Sequence, residues 1–158
     1  MFALAVTLSA CQPAVHAFRY DAATTDEQKT WVNEAIGEVN AHFGCEAIHI
    51  DPAAVNTVAF SADPTDGGVR ILGDFDPNTG DVLLINFLAH PEYTNKPKTA
   101  TVRLAVHEFG HALGKEDHSP LSYDLMFFQG VDIADSITDF VWSLYVKEVR
   151  EAGDPCDH

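Results

Sequence analysis

Two histidines four residues apart, His107 and His111, set the strictest condition on this chain. On an α-helix, residues at i and i+4 sit on the same face one turn apart, close enough for both side chains to reach one ion. Around the pair, Val102, Ala105, Val106, Phe109, Ala112 and Leu113 recur at helical spacing. The segment therefore reads as an amphipathic helix, capped by Thr99 or Thr101 and ended by Gly114. Two imidazoles and the Glu108 carboxylate are costly to bury on such a helix without a partner. A metal ion is the partner that both ring nitrogens could face at once.

The rest of the chain supplies a domain in which that helix can be buried. Its 158 residues are 46% hydrophobic, enough for one domain with a sizeable core. The apolar positions Trp31, Val32, Ala35, Ile36, Val39 and Phe43 predict a first helix, capped by Thr24 or Thr25 and stopped by Gly44. A strand is expected from Phe18, and others at 57–60, 69–72 and 82–87, with turns at 63–68 and 74–81. Residues 90–98 read as a loop. A last helix is expected over 138–152, burying Phe140, Val141, Leu144, Tyr145 and Val149. The order is strand, helix, several strands, helix, loop, helix, which is an α+β layout. With 24 acidic against 9 basic residues, the chain lacks the basic stripe that binding nucleic acid requires.

His107-Glu108-Phe109-Gly110-His111 has the H-E-x-x-H arrangement of zinc peptidases, in which Glu108 would reach a metal-bound water rather than the metal. The motif resembles that of the metzincins, and the resemblance implies that Gly114 stands where the chain leaves the helix sharply to bring in a third ligand. His118 and Asp117 both compete for that role: His118 if the loop has gained a residue, Asp117 if the usual spacing holds. Both are acceptable zinc ligands. Val106 to Met126, through His-Glu-Phe-Gly-His-Ala-Leu-Gly and Asp-His-Ser, is similar to the matrixin family of metzincins, with Asp117 in the ligand position as a snapalysin-like variant.

The resemblance implies a zincin fold: a twisted mixed sheet, the active-site helix and a small C-terminal helical part. It further implies a Zn2+ endopeptidase with Glu108 as general base, a methionine turn at Met126, and a specificity pocket walled by Phe127 and Phe128. Peptide substrate would pair with an edge strand, for which 82–87 is the candidate. Structural Ca2+ is the alternative to an ordinary turn for Asp74, Asp76, Asn78 and Asp81, with Asp63 and Asp66 in a second acidic turn. Two rival readings remain. One is a catalytically silent zincin-fold envelope lipoprotein that binds a partner; the other is a zinc hydrolase of cell-wall peptides.

Residues 1–11 read as an export signal. The apolar run from Phe2 to Ala10 is too short to span a bilayer, and Leu8-Ser9-Ala10-Cys11 resembles a bacterial lipobox, although no basic residue precedes it. Cys11 would then carry lipid, 12–17 would be a tether, and 18–158 the catalytic domain. The expected setting is the bacterial cell envelope or the extracellular space, and the expected state is a monomer. Cys45 and Cys156 are left as a pair, which suits a disulfide in an exported protein; two free buried thiols are the alternative.

Overall fold

The computed structural model describes residues 16–66, 69–119, 126 and 138–157. Phe127, Phe128, the whole of the export segment with Cys11, and residues 12–15 of the tether lie outside them. The first strand, β1 (His16–Tyr20), begins two residues before Phe18, so His16 and Ala17 belong to the sheet rather than to a tether.

Helix α1 spans Asp26–Phe43. Thr25 caps it through a reciprocal box: its hydroxyl accepts from the Gln28 N–H, and the Gln28 side chain accepts from the Thr25 N–H. Gly44 ends the helix at a φ of 77°, donating its N–H to the Asn40 carbonyl. Strands β2 (Ile48–Ile50) and β3 (Asn56–Ser61) follow, then a small hairpin, β4 (Thr65–Asp66) and β5 (Val69–Arg70). Next come β6 (Gly73–Asp76) and β7 (Asp81–Ile85).

The main sheet runs β2-β1-β3-β7-β6, parallel except for the antiparallel β6. This corrects two expectations. Residues 74–81 are not simply a loop: they give most of β6 and the turn after it. The strand expected at 82–87 is β7, which ends at Ile85 before a 3-10 turn over Phe87–Ala89; it is interior, and β6 is the sheet's edge beside it among the described residues. β6 lacks the apolar alternation that marks a strand, since Gly-Asp-Phe-Asp is poor in β-formers. Pairing with β7 creates it. Leu72 accepts from the Ile85 N–H, and antiparallel pairs alternate, so the N–H and C=O of Gly73 and Phe75 turn to the open edge.

Helix α2 (Pro97–Ala112) starts earlier than the threonines suggested. Lys96 is its N-cap without a side-chain bond and Pro97 is its first residue, where the missing N–H costs nothing. Thr101 is buried inside the helix. α1 and α2 pack together, and their apolar stripes meet the sheet: Phe18, Val58 and Leu84 lie against a core that includes Trp31, Val39 and Phe109, all buried. The Phe18 and Phe109 rings are 5.6 Å apart.

Helix α3 (Asp139–Ala152), capped by Thr138, buries Val141, Trp142, Tyr145 and Val149. Phe140 is 60% exposed, contrary to expectation, because the buried stripe runs through Val141, Trp142, Tyr145 and Val149 and leaves Phe140 beside it. A Cys45–Cys156 disulfide ties the tail beyond α3 to the end of α1. No described helix is long and apolar enough to cross a membrane.

Candidate metal centre

The helical spacing of His107 and His111 brings their Nε2 atoms to 3.2 Å. Two nitrogens bound tetrahedrally to zinc at about 2.0–2.1 Å stand about 3.3 Å apart, so the helical pair already has the required separation. His118 arrives from the loop beyond Gly114, whose φ of 101° makes the turn out of the helix. Its ring lies 4.8 Å from that of His111 and 5.2 Å from that of His107. One donor atom from each histidine falls within 4.8 Å of the other two. Asp117 is exposed and does not join this group.

The donor chemistry fits a divalent metal such as zinc. His111 Nδ1–H donates to the Lys115 carbonyl at 2.6 Å, which leaves the Nε2 lone pair facing the cluster. Burial lowers the pKa of His111 and of His118 below the usual histidine value, so both rings are neutral at pH 7. Three converging imidazoles are a ligand set for a divalent cation such as zinc.

Glu108 is buried, 4% exposed, on the side of α2 that meets β6. Burial first, and then the Asp74 carboxylate, pushes its pKa up to about 8. Met126 is fully buried beneath the helix. It packs where Gly110 leaves room: a Cβ at 110 would come within 2.4 Å of Met126 Sδ and 3.0 Å of the Tyr145 ring. The Met126 carbonyl accepts from the Ser119 N–H at 2.7 Å, fastening the residue next to His118 to the floor of the site. Tyr145 donates its hydroxyl to the Val106 carbonyl at 2.8 Å, joining α3 to the residue before His107.

The sequence singles out the histidines, Glu108 and Met126 but not Gly110, Lys115, Ser119 and Tyr145 as the groups that hold them, nor Gly73 as the neighbour of Glu108. Gly110 and Ser119 alone carried a signal, as members of His-Glu-Phe-Gly-His and Asp-His-Ser. The acidic turn has other partners: Asp76 accepts from the Asn78 N–H and side-chain amide, and Asp81 from the Thr57 N–H and hydroxyl. Among the described residues, the three histidines are the one group gathered for a metal. The chain matches no family model and no curated protein.

Proposed function

We propose that this protein is a zinc-dependent endopeptidase of the metzincin kind. The observation that carries the reading is a three-histidine cluster with a buried carboxylate, Glu108, beside it and against an open sheet edge. His107, His111 and His118 would hold the metal. Bound there, zinc supplies Lewis acidity, bringing the pKa of a coordinated water toward neutrality and polarising a carbonyl. Glu108 takes the proton of the attacking water at Oε1 or Oε2 and passes it to the leaving nitrogen. A divalent cation on the three histidines would favour the ionised form of Glu108, which is the form that accepts a proton. An extended peptide pairs with the outward N–H and C=O groups of Gly73 and Phe75 on β6, which sets the scissile bond beside Glu108. Gly110 and Met126 keep the cluster's floor filled and dry.

The test is cleavage of a diverse peptide mixture by zinc-loaded protein and by its Glu108→Ala variant, with zinc content measured in both. Internal cuts by the wild type, reduced about 10²–10⁴-fold or more in the variant, are the expected result. Equal cutting by both proteins removes Glu108 from the mechanism. No cutting by either, with zinc bound, shifts the reading to a silent partner-binding protein or to a hydrolase of cell-wall peptides.

A further inference from the structure

Gly73 stands at a strand position where its conformation does not call for glycine. Among the described residues, the glycines with left-handed backbones are Gly44, Gly80 and Gly114. A glycine inside a strand weakens it, and it commonly marks a place where another group comes close. Here that group is identifiable. A Cβ at 73 would lie 2.4 Å from Glu108 Oε1 and 3.0 Å from both Glu108 Cδ and Leu104 Cδ1. Ordinary contact needs about 3.5 Å, so any side chain at 73 would push the carboxylate away by roughly 1 Å. The alternatives are harder to move: β6 is hydrogen-bonded to β7, and α2 is held by its buried face. The flexible end of Glu108 is the part that yields.

We propose that Gly73 is a positioning residue. The space it leaves lets the Glu108 carboxylate lie directly against the edge strand, level with the outward-facing N–H and C=O of the same residue. One backbone position thus sets both the height of an incoming extended peptide and the height of the group that handles its proton. The second half of this inference rests on the peptidase reading; the placement of Glu108 by Gly73 does not.

The experiment compares Gly73→Ala with Gly37→Ala, a control on α1 where an added Cβ meets nothing within 4 Å. Four quantities are read: kcat, KM, zinc affinity by chelator competition, and the 13C resonance of the Glu108 carboxyl, assigned by its loss in Glu108→Gln. A misplacement of about 1 Å at a reacting group costs up to about 100-fold. Gly73→Ala is therefore expected to lower kcat about 10- to 100-fold, to leave KM and zinc affinity within about threefold, and to shift the Glu108 resonance. Gly37→Ala should change none of these.

A shorter carboxylate clears the added methyl. In a Glu108→Asp background, Gly73→Ala should cost less than about threefold in kcat, a non-additive pair. If Gly73→Ala alone does not fold but the double variant does, the same contact is responsible. An unmoved Glu108 resonance, an equal loss in the Glu108→Asp background, or misfolding of both variants overturns the proposal. A shifted resonance in a protein that cuts no peptide upholds the placement of Glu108 by Gly73, while the peptidase reading falls.

Discussion

The cluster's two helical histidines and its loop histidine are held by different means. His107 and His111 are set by the pitch of α2, whose buried face includes Ala105, Val106 and Phe109, and their nitrogens already have a tetrahedral separation. His118 is exposed and comes from a loop fastened at separate points. These are the His111–Lys115 and Ser119–Met126 hydrogen bonds and the Lys115–Glu148 ion pair at 3.9 Å. Behind that loop stands α3, whose tail is tied back to α1 by a disulfide. One wall of the site is thus made by local helix geometry and a common core. The other is assembled from distant pieces, so it is the wall whose supports can be removed one by one.

The sharpest way to break the contrast is the covalent tie. The disulfide spans 111 residues of sequence, and replacing Cys45 and Cys156 with serine should cost about 2–5 kcal/mol in denaturant unfolding. Hydrogen exchange on the folded variant should quicken in α3 before α2. Equal loosening of both helices would mean that the two walls form one cooperative unit.

Donor replacement gives the next largest effect. His118→Ala should weaken zinc by more than about 100-fold in chelator competition, beyond the usual loss for an outer partner, and Asp117→Ala by less than about tenfold. The reverse ranking would assign the loop's donor to Asp117 and remove the contrast in its present form.

The smallest effect concerns the buried carboxylate on the helical wall. In chelator-treated protein, Glu108 has a folded pKa of about 8, raised from 4.5 by burial and by Asp74. Its contribution to stability is therefore full below pH 4.5 and is lost as pH rises through about 8. Glu108→Gln removes that dependence, so the stability of the variant relative to wild type should grow between pH 5 and pH 9. Three histidines act in the opposite sense. His16, His111 and His118 have pKa values lowered chiefly by loss of solvent, so they cost stability as pH falls below 6.5, and they do so in both proteins. A margin that stays flat across this range would place the Glu108 carboxylate in water rather than under β6.

The same division explains what could be read from the sequence. Helical periodicity and caps located α1 and α3 and most of α2, because those signals lie within a few residues of one another. The spacing of His107, Glu108 and His111 is equally local. Strand β6 escaped because its residues gain strand structure only from β7, and β2 because Ile48–Ile50 is too short to show a period. The start of α2 was misplaced because Pro97 begins it without a side-chain cap, while nearby threonines offered a false one. The role of Gly73 could not be read at all. It depends on an approach between residues 35 positions apart, and a glycine in sequence does not say which neighbour needs the room.

Gly110 has a consequence for anyone wishing to move this site elsewhere. The two central letters of His-Glu-Phe-Gly-His look interchangeable, yet Phe109 is buried against Phe18 and Gly110 is pressed on by Met126 and Tyr145. Grafted onto another scaffold, the five residues would arrive with a ring needing a socket and a gap needing a filler. The transplantable unit is therefore not a pentapeptide but a helix together with the sulfur and the phenol that close beneath it.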